Sequence, residues 1–150
     1  MLLLPRKTIV VIGAVVDIAL HAAKRPVLAL DLADRLRLPR RYLEPALQAL
    51  GRQGILVGMA GRRGGYRLAK ARQAINVYEI CEAIETLEAE EPNNQSSWLL
   101  DTMALPALEE AEVCFESALK HISVEDLVRA ATLQMLVRHM ADVQVRETRS

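Results

Sequence analysis

Cysteine is scarce in this chain. Its 150 residues include two cysteines, Cys81 and Cys114, far apart in segments that read as helix, with no Cys-x-x-Cys spacing and no histidines clustered nearby. Neither a structural disulfide nor a metal site is expected from so few thiols. Long apolar runs are missing too. Met-Leu-Leu-Leu gives way at once to Pro5, Arg6 and Lys7, without the length or cleavage pattern of a signal peptide. The run from Ile9 to Leu20 is broken by Asp17 and falls short of the roughly 20 residues that cross a hydrocarbon layer. The expectation is a soluble, cytoplasmic protein. A catalytic constellation is also lacking. Glu79, Glu82, Glu85 and Glu88 recur along one helix, but no nucleophile, histidine partner or phosphate loop accompanies them, and His21, His121 and His139 stand isolated. Such a row reads as a solvated face, so an enzyme is not expected. No internal repeat is present.

Charge is there, and it is divided. The formal net charge is zero, yet residues 1–75 hold 14 Lys/Arg against 4 Asp/Glu, a net of +10, and residues 76–150 hold 5 against 15, a net of −10. One explanation is that the first half meets a polyanion while the second faces protein or solvent. The plainer alternative is a chance dipole with solvated faces.

Apolar spacing orders the elements. Ile9 to Ala23 reads as a core helix and Ala29 to Leu36 as a short second one, with Leu32, Ala33 and Leu36 at helical spacing. After a turn at Leu38 and Pro39, a third helix carries Leu43, Ala46, Leu47 and Leu50 on one stripe, leaving Arg40, Arg41, Gln48 and Arg52 outward. Pro45 falls in or just beyond its first turn, tolerable if the helix begins near Arg41 and disruptive if it begins earlier, so a late start or a kink is expected. Gly54 should end it with a left-handed cap. Two short helices and a tight turn outline a helix-turn-helix, an outline many helical hairpins share. The stretch that follows sharpens it. Ile55 to Met59 and Tyr66 to Leu68 read as strands around Gly61-Arg62-Arg63-Gly64-Gly65, which makes a β-wing with two arginines at its tip.

Asn76 and Glu79 have the spacing of a capping box for a fourth helix, with Ile80, Ala83, Ile84 and Leu87 as its apolar stripe. Residues 88–97 are polar and aperiodic. A long helix follows from Leu105 or Pro106 to Lys120, and Ser123 caps another. The expected fold is mostly α with a small β-wing. Its divisions are a winged helix-turn-helix over residues 1–88, a linker over 89–104 and a helical arm over 105–150.

Four blocks carry a resemblance: Val16-Asp17-Ile18-Ala19-Leu20-His21, Asp31-Leu32-Ala33-Asp34-Arg35, Arg41-Tyr42-Leu43-Glu44, and Gly61-Arg62-Arg63-Gly64-Gly65-Tyr66-Arg67-Leu68-Ala69. With Ile75-Asn76-Val77, Ile80 and Ala83-Ile84-Glu85 after the wing, and Ile122-Ser123-Val124-Glu125-Asp126-Leu127 after the long helix, the chain resembles the IscR/NsrR (Rrf2) family of bacterial winged helix-turn-helix regulators. The resemblance implies a homodimer joined through the C-terminal helices, reading a near-palindromic operator in double-stranded DNA and repressing transcription. Many members sense through an iron–sulfur cluster on three closely spaced cysteines between the post-wing helix and the long helix. Residues 85–105 here contain no cysteine, so no cluster and no other cofactor is expected. The signal is left to a small-molecule effector, a partner protein or oxidation of Cys114. The family's glycine-arginine-tyrosine stretch before the first helix is replaced by Thr8, Ile9 and Val10, leaving Lys7 as the basic residue ahead of that helix.

The candidate DNA-binding residues are Lys7, Arg40, Arg41, Tyr42, Arg62, Arg63 and Gly64. Arg40 and Arg41 start the presumed recognition helix, where arginine can address guanine with two hydrogen bonds; the alternative is a solvated helix end. Tyr42 suits either DNA or the core. Arg62 and Arg63 suit a minor groove, whose negative potential attracts arginine. Tyr66 is expected to pack the wing on the body. Leu108, Phe115, Leu119 and Leu127 are the candidate dimerisation residues. A rival function is a winged-helix module whose basic face binds an acidic protein.

Overall fold

The computed structural model describes residues 4–88 and 105–147; the expected linker, 89–104, lies outside the described residues. Helices α1 (Arg6–His21), α2 (Ala29–Leu36) and α3 (Arg40–Arg52) precede strands β1 (Leu56–Met59) and β2 (Gly65–Leu68). A single 3-10 turn at Arg72–Ala74 leads to α4 (Val77–Glu88), and α5 (Leu105–Lys120) and α6 (Val124–Glu147) follow. This is the expected mostly helical fold with a two-stranded wing. Among the described residues no helix is long and apolar enough to cross a membrane.

The core forms where the stripes meet. Val11, Ala14, Val15 and Ile18 of α1 are buried with Leu32 of α2, Leu43, Leu47 and Leu50 of α3, and Ile80 and Ile84 of α4. Removing these side chains from water is the main favourable term in folding, worth about 1.5–3 kcal/mol for each large one. Asp17, the lone acid of α1, lies at the edge of this packing. The Arg35 guanidinium grips its carboxylate with Nε–Oδ2 at 2.9 Å and Nη2–Oδ1 at 2.6 Å, which fastens α1 to α2 and raises the Arg35 pKa.

The helix ends follow local chemistry. At the end of α3 the Ile55 N–H reaches the Leu50 carbonyl at 2.9 Å and the Gly54 N–H reaches Gly51 at 3.1 Å, while Gly54 takes φ 68°. This is the left-handed cap expected of Gly54. The same pattern ends α2, where Leu38 N–H bonds Ala33 at 2.9 Å and Arg37 N–H bonds Asp34 at 3.2 Å. There the left-handed residue is Arg37, at φ 54° and ψ 46°. A side chain in that region crowds its own carbonyl, so the turn between α2 and α3 carries strain. Pro45 lies just beyond the first turn, without the late start of α3 that was one of its two expected consequences. The helix begins at Arg40, so Pro45 falls in the second turn and has no N–H to give the Arg41 carbonyl.

The two C-terminal helices are not a plain extension. The start of α6 joins the main core through Val124 and Val128. Main-chain bonds from Val77 N–H to Ile122 at 2.9 Å and from Val124 N–H to Ile75 at 2.8 Å stitch the starts of α4 and α6 together. Both starts are capped. Asn76 Oδ1 accepts the Glu79 N–H at 2.9 Å, and Ser123 Oγ accepts the Asp126 N–H at 3.1 Å. The Asp126 carboxylate returns to the Ser123 hydroxyl and N–H, which holds its pKa below the usual value. Helix α5 has the expected bounds, and α6 is the longer of the two, with 24 residues against 16.

Arg37→Gly is expected to stabilise the protein by about 1 kcal/mol, because glycine takes the left-handed conformation without crowding. A urea unfolding curve with a raised midpoint and unchanged slope would show it. A midpoint that stays put or falls would mean that Arg37 is not strained.

Candidate nucleic-acid interface

The N-terminal end of α3 projects its basic residues because its apolar stripe faces inward. Leu43, Ala46, Leu47 and Leu50 are buried, whereas Arg40, Arg41 and Tyr42 are exposed. Pro39 sits at the N-cap, so the first amides of α3 have no side-chain cap and their positive dipole end stays open. Arg40 pairs with Glu44 one turn on, Nε to Oε1 at 2.8 Å. Arg41 has no ion pair among the described residues. Tyr42 keeps 40% of its surface exposed, so it is not a core residue. Lys7 is in the first turn of α1 rather than ahead of the helix, because α1 starts at Arg6, earlier than the apolar periodicity indicated.

The wing is held by its main chain. Strands β1 and β2 pair antiparallel, Leu56 opposite Leu68 and Met59 opposite Gly65. Leu56 is buried under the sheet. Residue Val27, in the α1–α2 connection, adds a bridge on the other side of β2: Val27 N–H to Tyr66 C=O at 2.9 Å and Tyr66 N–H to Val27 C=O at 2.8 Å. Gly65 permits this approach, since a Cβ there would overlap the Val27 carbonyl, and its φ of 133° is one that side chains rarely adopt. Tyr66 packs part of its ring against the core, as its place beside the glycine turn predicted.

Arg62 and Arg63 stand exposed at the wing tip, in a turn closed by the Gly64 N–H bonding the Gly61 carbonyl at 2.9 Å. The expected contact role of Gly64 needs correction. It is buried, and a Cβ on it would overlap the Met59 carbonyl oxygen, so its missing side chain shapes the turn rather than offering a surface. The wing arginines line a cleft of about 490 Å³ with Lys24, Arg25, Pro26 and Leu28. Arg40, Arg41 and Lys7 are not among its lining residues. Lys24 and Arg25 are not among the candidate residues that the sequence marked. The signal that could have marked them was their membership in the basic half of the chain.

At the other end, the candidate dimerisation residues separate. Leu119 is buried against Val77 and Cys81, with Phe115 and Leu127 partly buried beside them, because α5 folds onto α4. Leu119 is therefore not available to a second chain. Leu108 is 61% exposed, and Leu133, Leu136, Val137 and Met140 form an exposed apolar stripe on α6.

The comparisons with known proteins agree with this geometry. A family model described as Rrf2, iron-dependent transcriptional regulator, matches residues 4–130. Protein rrf2 of Nitratidesulfovibrio vulgaris is 30% identical over 121 residues, spanning 78% of this chain and 81% of that protein. Among solved structures, T. potens IscR superposes with a TM-score of 0.68 at 25% identity, covering 87% of this chain and 88% of the other. The B. subtilis global cysteine regulator CymR shares the fold, with a TM-score of 0.65 at 20% identity over 87% of this chain and 98% of its own.

The iron in that family description can be set against the donors present. Iron–sulfur clusters are held by thiolates, commonly about four, with histidine as an occasional substitute. The chain has two thiols. Cys81 is buried, and burial together with Glu85 pushes its pKa up, away from the thiolate; Cys114 is exposed on α5. Among the described residues no three His, Cys, Asp or Glu side chains are grouped to hold a metal. The donor set does not fit a cluster, and Cys81 acts as a small apolar packing group.

Gly64→Ala is expected to open the wing turn and cost about 1–3 kcal/mol, the usual penalty for forcing atoms into a filled space. Its readouts are a lower urea midpoint and faster hydrogen exchange at the residue 64 amide. Wild-type values for both would show that the turn has room for a methyl group.

Proposed function

Because the chain belongs to the Rrf2 family of transcriptional regulators, we propose that it is a sequence-specific DNA-binding repressor, working as a homodimer on a near-palindromic operator. In this reading it is a binding protein and not an enzyme, and it acts in the cytoplasm, where it meets its operator. The observation that carries the reading is the set of exposed basic side chains without carboxylate partners on two projecting elements, Arg41 at the start of α3 and Arg62 and Arg63 on the wing. Acids equal bases in number across the chain, so cations left unpaired favour an anion from outside. The start of α3 suits a major groove, where Arg41 can read guanine, and the wing suits the adjacent minor groove.

The homodimer follows from the opposite end of the molecule. Leu133, Leu136, Val137 and Met140 are each at least 55% exposed and recur at i, i+3, i+4 and i+7 on α6. A continuous apolar stripe of this kind marks a protein–protein contact, and a two-fold pairing sets two wings and two α3 helices on one duplex. Occluding the operator in this way blocks transcription. Since the thiols do not suit a cluster, control falls to a small-molecule effector, a partner protein or oxidation of the exposed Cys114.

Selection of bound duplexes from a random pool is the direct test. An inverted-repeat consensus is expected, with Arg41→Ala relaxing one position per half-site by about 1–3 kcal/mol and Arg62→Ala/Arg63→Ala weakening binding most where the minor groove is narrow. No enriched sequence with the wild-type protein would remove the reading. Sedimentation tests the second element: Leu136→Asp/Met140→Asp should be a folded monomer where the wild type is a dimer. A variant that remains dimeric would place the contact elsewhere.

A further inference from the structure

The cleft at the base of the wing has a composition that minor-groove insertion of two arginines does not account for. It is lined by Arg62 and Arg63 from the wing tip and by Lys24, Arg25, Pro26 and Leu28 from the connection between α1 and α2. Among the described residues none of these four cations has an ion pair, although Arg35, Arg40, Lys70 and Arg72 all have one. Four like charges around one cleft repel each other unless something anionic lies between them. Leu28 leaves 40% of its surface exposed there, so the cleft also presents an apolar wall.

These two segments are fixed relative to each other by main-chain bonds. Val27 pairs with Tyr66 at 2.9 and 2.8 Å, and Gly65 lets the two backbones approach. The Arg67 Nη2 donates to the Lys24 carbonyl at 3.3 Å, tying the far end of the loop to β2. The spacing between the two cationic segments is thus set by the fold and not by flexible side chains alone.

We propose that this cleft is a clamp for one phosphodiester strand of the duplex, with Lys24 and Arg25 gripping phosphates from the α1–α2 connection. A DNA strand alternates anionic phosphates with the less polar faces of its sugars, which matches a cleft lined by cations together with Pro26 and Leu28. Lys24 and Arg25 hold the backbone and read no base, so they set affinity and register while Arg41 carries sequence preference. This rests on the DNA-binding reading above and deepens it by adding a second phosphate-contacting element that the wing alone does not supply.

The test uses the full chain and a duplex bearing its selected consensus, with affinity measured across a salt series. Lys24→Gln/Arg25→Gln is expected to weaken binding about tenfold or more at 0.15 M salt and to flatten the slope of log affinity against log salt by about 2. The consensus selected by the variant should match that of the wild type, and Lys24→Arg/Arg25→Lys should restore the slope. Both side chains are exposed, so the urea midpoint should not move. An unchanged slope and affinity, with the wild type still selecting a consensus, would overturn the clamp and leave the DNA-binding reading intact. A changed consensus would also overturn it, by making these residues base readers. Failure of the wild type to bind any duplex would instead remove the reading on which the clamp stands.

Discussion

The position of the wing depends on one main-chain contact, the two hydrogen bonds between Val27 and Tyr66. They turn a two-stranded hairpin, marginal by itself, into a wing attached to the loop between α1 and α2. The contact exists because residue 65 has no side chain; any Cβ would meet the Val27 carbonyl. This seam joins the wing to the Lys24–Arg25 loop, and the Arg67 Nη2 bond to the Lys24 carbonyl joins them a second time.

The distribution of charge becomes intelligible once the pairs are known. The basic half of the chain uses part of its charge internally. Arg35 holds Asp17, Lys70 holds Glu79 at 3.1 Å, and Arg72 donates to the Ala19 carbonyl at 2.6 Å while facing Glu125. These residues join helices and turns. Among the exposed basic residues without an ion pair in the described residues, Lys24, Arg25, Arg41, Arg62 and Arg63 lie on the first helical connection, the start of α3 and the wing tip, while Arg6, Arg37 and Arg52 lie at the start of α1, the α2–α3 turn and the end of α3. Paired and unpaired basic residues are chemically alike, so composition alone assigns them no separate roles.

Helices α5 and α6 fold back on α4 more closely than a dangling arm would. Leu119, Phe115 and Leu127 cover Val77 and Cys81, and the Lys120 ammonium lies 4.2 Å from the centre of the Tyr78 ring. The apolar residues nearest this fold-back serve the chain itself. Among the described residues, Leu108 and Val113 on α5 and Leu133, Leu136, Val137 and Met140 farther along α6 remain uncovered.

Local chemistry was legible in the sequence. The boundaries of α2, the left-handed cap at Gly54, the Asn76–Glu79 and Ser123 caps and the glycine-rich wing all rest on interactions within a few residues, so spacing alone announced them. The separation of net charge between the two halves was equally plain. What spacing does not carry is which long-range partner each residue finds. Arg37 in a left-handed turn, Gly65 against Val27, Gly64 buried beneath its own turn, Leu119 turned inward and Lys24 and Arg25 lining one cleft with the wing are all products of tertiary packing. Each depends on groups brought close by burial of one shared core, and the energy of that burial is a property of the assembled helices rather than of any segment.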